Sequence, residues 1–282
     1  MFAKIKEYFE LVKFEHTAFA LPFAYLGMLL AGKSWPPAGV FFWVTAAMVG
    51  ARTAGMALNR IIDVQIDGKN PRTRNRALVT GELSLAWAWS LTAVSLLIFF
   101  LAAYQLGPLC LKLSGVALVL LTGYHYVKRF SFLCHWALGM VLAIAPLGGW
   151  IAVTGQWAWQ PVFLSLAVLF WVAGFDILYS LQDVEFDRTH QLHSVPVKFG
   201  VMQALKISEY CHWATIIFLL IFGVVLGLGV LYWVGIVIVA GLLKFEHYLV
   251  GDGDLSHINA AFFTVNGWIG ILLLVFTLMD LF

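Results

Sequence analysis

An all-α integral membrane protein with nine spanning helices is the fold class this sequence predicts, and three observations predict it. Of its 282 residues, 62% are hydrophobic and only 11% charged, with unbroken apolar runs such as 14–32 and 214–240. Those runs recur at close to the ~20 residues that cross a hydrocarbon core of ~30 Å. Lys and Arg collect on alternate connections, as they do when one side of a membrane protein faces the cytoplasm. Inside a bilayer the backbone must satisfy its own hydrogen bonds, so the spans are helices.

Taken in order, the spans are 14–32, 38–58, 84–105, 112–127, 132–153, 160–181, 207–228, 230–249 and 258–279. The stretch Met1–Glu7 reads as an amphipathic lead into the first span, without a small-residue cleavage site, and is expected to be retained. Gly and Pro punctuate most of the other boundaries. Only Gly227-Leu228-Gly229-Val230 separates the seventh span from the eighth, so a count of eight stays open at that junction. The whole chain, 1–282, is expected to form a single domain.

With the N-terminus cytoplasmic, fourteen Lys and Arg residues fall on that side, among them Lys69, Arg72, Arg74, Arg76, Lys128, Arg129, Arg188 and Lys198. Only Lys33 and Lys112 fall outside, and Arg52 is left within the membrane. Topology alone explains much of that bias. The three cysteines, Cys110, Cys134 and Cys211, form no C-x-x-C pair and read as apolar filling, not as a disulfide frame or a thiolate metal site. No feature points to nucleic acid, and the oligomeric state is not legible.

Two acidic stretches stand out against this background. On a helix, Asn59, Asp63 and Asp67 fall at i, i+4, i+8, and Asp176, Ser180, Asp183 and Asp187 at i, i+4, i+7, i+11, so each set projects from one face. Both lie at cytoplasmic helix ends beside the cationic connections. Acids in or beside a membrane are costly and by default functional. Two spaced sets read as one paired metal site, whose oxygen donors suit Mg²⁺, an ion that keeps water and takes further ligands from substrate phosphates. Arg and Lys nearby can neutralise a metal-bound diphosphate.

These residues bring the chain close to a known family: it resembles the UbiA-superfamily intramembrane prenyltransferases that act on polyprenyl diphosphates and aromatic acceptors. Asn59, Asp63 and Asp67 meet the pattern N-x-x-x-D-x-x-x-D; Asp176, Tyr179, Asp183 and Asp187 meet D-x-x-Y-x-x-x-D-x-x-x-D. The likeness extends to Asn70–Arg76, Tyr124–Phe130 and Pro196–Gly200. Ala77 stands where many members carry Pro, which alters loop stiffness more than ligand identity. The resemblance implies nine helices around a central cavity, a cytoplasmic cap over its polar mouth, and a lateral opening for a lipid tail.

It further implies Mg²⁺ held by Asn59, Asp63, Asp67, Asp183 and Asp187, with diphosphate bound by Arg72, Arg76 and Lys128. Tyr124 and Tyr179 would donate hydrogen bonds or shield an allylic cation, and Asp176 or Asp183 would assist the acceptor hydroxyl. Arg52 lies seven residues before Asn59, on its face; its alternatives are a structural pair with Glu15 or an acidic ligand, or a role in binding the acceptor's carboxylate. The implied activity is transfer of a polyprenyl group to a ring carbon of a hydroxyaryl carboxylate in respiratory quinone biosynthesis. The acceptor is 4-hydroxybenzoate for ubiquinone or, alternatively, 1,4-dihydroxy-6-naphthoate for menaquinone, in a bacterial or archaeal plasma membrane.

The main rival from another class is a cation transporter, which would place acids near the midplane and at broken helices. A purely structural membrane protein would leave both acid motifs without a purpose. The remaining conspicuous residues have simpler readings. His190 and His193 read as loop histidines, Gly223 and Gly227 as small-residue helix packing, and Trp35, Trp150, Trp157 and Trp159 as interfacial anchors. Gly251–Asp254 reads as a solvated turn.

Overall fold

The computed structural model describes residues 17–251, 255, 258 and 260–282. Its long helices are α1 Thr17–Gly32, α2 Ala38–Asp67, α3 Leu85–Gln105, α4 Pro108–Val127, α5 Cys134–Thr154, α6 Gln160–Ser180, α7 Val201–Leu226, α8 Val230–Leu249 and α9 Asn266–Leu281. Among the described residues, eight helical stretches are long and apolar enough to cross a membrane, and α1 adds a shorter apolar helix. The start of the first expected span, with Glu15, and Asp252–Asp254 of the expected turn lie outside the described residues, as do Lys4, Lys6 and Lys13.

Local chemistry sets the boundaries. The Pro36-Pro37 pair cannot continue a helix from α1, and Pro37 stands at the N-cap of α2. Ser84 Oγ caps α3 by accepting from Trp87 N at 3.2 Å. The doubtful junction after the seventh span is a real break: Gly227, at φ +62°, ends α7, and Leu228 N reaches back to Gly223 O at 3.0 Å. Gly227 is therefore a helix stop and not half of a packing motif. Gly223 does pack, with the Tyr232 ring where a Cβ would point.

α2 is the outlier in length. At 30 residues it is about 45 Å long, so its last turns project beyond the hydrocarbon and carry Asn59, Asp63 and Asp67 with them.

In the packing, α2, α3, α4 and α5 follow one another as neighbours, as do α5, α6, α7, α8 and α9, while α1 touches α5, α6, α9 and α2. The α1–α5 contact is close because neither helix has side chains in the way. A Cβ on Gly27 would meet the Pro146 carbonyl, and one on Gly149 would meet the Ala24 carbonyl. Small residues allow this approach where lipid supplies no hydrophobic drive between helices. A large core centres on Trp171, Phe23, Leu26, Leu164, Phe222 and Tyr232. Trp150 belongs to it at 8% exposure, so it is a core residue rather than the anticipated anchor, whereas Trp35, Trp157 and Trp159 are exposed.

Candidate active site

The first acidic motif stays helical through Asp67, and the following loop folds back over it. Thr73 Oγ1 donates to Asp67 O at 3.0 Å, Arg72 N donates to Asn70 Oδ1 at 2.9 Å, and Arg76 pairs with Asp67. Asn70 and Arg72 then cross to the second motif. Arg72 grips Asp183 bidentately, Nε to Oδ1 at 3.0 Å and Nη2 to Oδ2 at 2.6 Å, while Asn70 Nδ2 donates to the same carboxylate at 3.0 Å.

The second motif is not the continuous helix its spacing suggests. α6 ends at Ser180, whose hydroxyl turns back onto Ile177 O at 2.7 Å. A 3₁₀ turn, Leu181–Asp183, and a short helix, Val184–Thr189, follow. The tighter turn redirects the chain, so Asp183 and Asp187 reach the cavity from a segment bent off α6. Beyond it, His193 N donates to Lys128 O at 2.7 Å, fastening this segment to the α4–α5 turn. His190, expected as a loop histidine, stacks on Phe186 with ring centroids 4.0 Å apart.

That turn supplies the remaining cations. Lys128 Nζ lies 2.9 Å from Asp187 Oδ1, and Arg129 Nη2 lies 3.2 Å from Asp63 Oδ1. Each of the four motif carboxylates thus holds one cation: Asp63 with Arg129, Asp67 with Arg76, Asp183 with Arg72, Asp187 with Lys128. Asp187 is wholly buried and Asp67 and Asp183 nearly so, which makes such pairing obligatory for carboxylates that stay ionised. Burial opposes the charge on Arg72 and on Lys128, but Asp183 and Asp187 outweigh it and raise both pKa values.

No three His, Cys, Asp or Glu side chains among the described residues stand at metal-coordinating spacing. The carboxylates are turned onto guanidinium and ammonium groups instead. Asn59 joins the set through Nδ2, 3.3 Å from Asp63 Oδ2 and 3.3 Å from His125 Nδ1, while its Oδ1 accepts from Arg60.

All of these groups line one cavity of about 300 Å³. The same lining includes Arg52, Tyr124, His135, Asp176, Tyr179 and Phe262. Tyr179 OH accepts from Arg72 Nη1 at 3.3 Å, and its ring stacks on Phe262 at 4.1 Å. A second, apolar cavity of about 350 Å³ lies among α1–α5. Arg52, Tyr124, Leu138 and Leu142 line both, so Arg52 stands at the junction of polar and apolar chambers. Arg52 forms no ion pair with a described residue, and its Nε has no hydrogen-bond partner there.

All twelve site residues expected from the sequence therefore border the polar cavity. Five more were missed: Asn70, His125, Arg129, His135 and Phe262. Asn70 and Arg129 sit inside stretches the family likeness already marked. So does His125, within Tyr124–Phe130, whereas His135 and Phe262 carry no local signal.

A cavity in which acids and bases from three chain segments, 63–76, 128–129 and 183–187, pair one to one, beside an apolar chamber within a helical bundle, fits a membrane enzyme that handles a charged group on a lipid. Residues 20–268 match the UbiA prenyltransferase family, and the chain belongs to it and is a prenyltransferase. It is similar to the 4-hydroxybenzoate octaprenyltransferase of Methylobacillus flagellatus, 31% identical over 86% of this chain and 82% of that one. The enzyme of the same name from Paraburkholderia phytofirmans is 29% identical over 96% and 94%. Among solved structures, an apo UbiA homologue from Aeropyrum pernix K1 is 35% identical and superposes with a TM-score of 0.87 over 95% of this chain and 98% of that one. An Archaeoglobus fulgidus homologue bound to GPP and Mg²⁺ shares the fold, with a TM-score of 0.74 at 19% identity over 98% and 99%.

Proposed function

We propose that this protein transfers a polyprenyl group from polyprenyl diphosphate to a ring carbon of a hydroxyaryl carboxylate, 4-hydroxybenzoate foremost, in quinone biosynthesis. The observation that carries the reading is the joined pair of cavities, one polar with four Asp–cation pairs and one apolar, with Arg52 at their junction. The names of the relatives support the acceptor. A transporter would place its acids near the midplane; here they cluster at helix ends among basic residues, in a prenyltransferase family.

The donor set is all oxygen and fits a hard divalent cation: Asp63, Asp67, Asp183 and Asp187 with the Asn59 amide oxygen would hold Mg²⁺. Bound there, the ion would supply charge neutralisation to the diphosphate leaving group. Arg72, Arg76 and Lys128, now on the carboxylates, would move to the diphosphate oxygens and make charge-assisted hydrogen bonds. This exchange keeps both sets of charges paired throughout. Arg129, released from Asp63, would join them.

The Tyr124 and Tyr179 rings would flank the allylic cation with their electron-rich faces. The apolar chamber would take part of the prenyl chain and keep water from the cation. Arg52 would hold the acceptor carboxylate, while Asp176 or Asp183 stands toward the hydroxyl.

The proposal includes one catalytic domain over 1–282, in a plasma membrane, with the site cytoplasmic. Lys69, Arg74, Arg188 and Lys198, all at the site's end, support that orientation. Incubating purified protein with Mg²⁺, labelled polyprenyl diphosphate and a panel including 4-hydroxybenzoate and 1,4-dihydroxy-6-naphthoate tests it. The expected product is the C-prenylated 4-hydroxybenzoate; exclusive turnover of the naphthoate would move the protein to the menaquinone route.

A further inference from the structure

One carboxylate in the polar cavity differs from the rest. Asp63, Asp67, Asp183 and Asp187 each hold an arginine or a lysine, but among the described residues Asp176 is engaged by His135 alone, Nδ1 to Oδ2 at 2.6 Å. The histidine is itself fixed. Val195 N–H donates to His135 Nε2 at 3.3 Å, so Nε2 is the acceptor and the ring proton sits on Nδ1, directed at Asp176. His135 is 2% exposed, packed behind its partner, whereas the Asp176 side chain is 25% exposed toward the cavity. Asp176 Oδ1 takes no hydrogen bond from a described residue.

Position adds a second argument. Asp176 precedes Asp183 by seven residues, as Arg52 precedes Asn59 by seven, so each lies about two turns deeper than its own motif. Both line the polar cavity together with Tyr124, and Arg52 and Tyr124 also line the apolar chamber. A carboxylated ring held by Arg52 would present its other positions to the cavity that Asp176 lines. The four cation-bound carboxylates sit at the diphosphate end.

We propose that Asp176 is the base that removes the ring proton after prenyl transfer, and that His135 is the positioning residue that holds it. This rests on the aromatic prenylation proposed above. In the step, the acceptor's ring carbon forms its bond to C1 of the prenyl group as the C1–O bond breaks, the electron pair leaving with diphosphate. The proton on that ring carbon passes to Asp176 Oδ1, and the C–H electrons restore aromaticity. His135 keeps its own proton and fixes the carboxylate's orientation.

The test compares 4-hydroxybenzoate with the same acceptor deuterated ortho to the hydroxyl. In the wild type, deprotonation of so acidic an intermediate is fast and the two acceptors react alike. Asp176→Asn is expected to lower kcat roughly 10²-fold or more, with a primary isotope effect appearing as proton loss becomes limiting. Asp176→Glu should retain part of the rate. His135→Leu should reproduce the isotope effect, and His135→Asn, whose amide still donates to Asp176, should suppress it.

A wild-type protein that prenylates no hydroxyaryl acceptor would refute the aromatic reading itself. Product formation by the wild type, with no isotope effect in Asp176→Asn, would refute only the base. Should Asp176→Asn fail to fold, the His135 pair decides: an effect in Leu and none in Asn supports the assignment, and none in either overturns it.

Discussion

Arg52→Ala isolates the contact that would choose the acceptor. Arg52 lies at the junction of the two cavities without an ion pair among the described residues, so a carboxylate arriving there would meet a guanidinium free to form a charge-assisted fork. Such hydrogen bonds are worth about 1.5–3 kcal/mol, which corresponds to a loss of about 10- to 150-fold in kcat/KM for 4-hydroxybenzoate. The loss should fall on the acceptor's KM and leave that of the prenyl diphosphate nearly unchanged, because the diphosphate is assigned to Arg72, Arg76 and Lys128, which pair with the motif carboxylates, and not to Arg52. Truncation also opens space, which weakens every acceptor alike. The ratio between acceptors removes that contribution. Initial rates would be taken with 4-hydroxybenzoate and with an uncharged phenol at saturating prenyl diphosphate. Equal losses for both acceptors would refute the argument and leave Arg52 as a structural residue.

Three further outcomes follow from the same geometry. Asp63→Asn, Asp67→Asn, Asp183→Asn and Asp187→Asn each remove a charge while keeping shape, and each should abolish most Mg²⁺-dependent turnover in a labelled-product assay without loss of folding; EDTA should do the same, and full activity in EDTA would contradict it. Lys128→Met strands the buried Asp187, at a cost of about 1–3 kcal/mol, below the ~3–5 of a fully buried pair because Lys128 is 35% exposed; thermal unfolding in detergent should show the loss and Lys128→Met/Asp187→Leu its recovery. Because the Lys128 pKa is raised, that pair's contribution should persist to about pH 10.5 and fade as pH climbs through the higher folded value. Cysteines at Lys69 and Thr189, both exposed, should react with an impermeant reagent from the cytoplasmic side and one at Ser34 from the other; Asn70 is unsuitable because it is buried on Asp183.

Much of the fold was legible because bilayer thickness and hydrogen-bond satisfaction leave a membrane helix little freedom. Spans expected at 84–105 and 230–249 are helices at Leu85–Gln105 and Val230–Leu249. Where chemistry exceeds that constraint, the sequence was less direct. α2 runs nine residues past the expected end at 58, since helix continues as the chain leaves the hydrocarbon. The bend at Leu181–Asp183 was hidden because a 3₁₀ turn preserves the spacing of its acids while rotating them.

At the site, the acids were marked by their spacing and the bases by the cationic connections and the family likeness, but not who pairs with whom. Arg72–Asp183 spans 111 residues and Arg129–Asp63 spans 66, and nothing local encodes such partners. His135 escaped for the same reason: its importance lies in Asp176, 41 residues away, and in a backbone N–H of the segment after the second motif. Trp150 looked interfacial by position along the chain, yet the close packing of α1 on α5 encloses it.

The central claim is that one cavity takes a diphosphate and a divalent cation together, by exchanging the internal Asp–cation pairs for external ones. Titration calorimetry with an unreactive prenyl thiolodiphosphate tests it directly. The account predicts tight binding only with Mg²⁺ present, a reciprocal tightening of Mg²⁺ by the diphosphate, and loss of both in Asp183→Asn. Binding of equal strength in EDTA, or unchanged by Asp183→Asn, would contradict it.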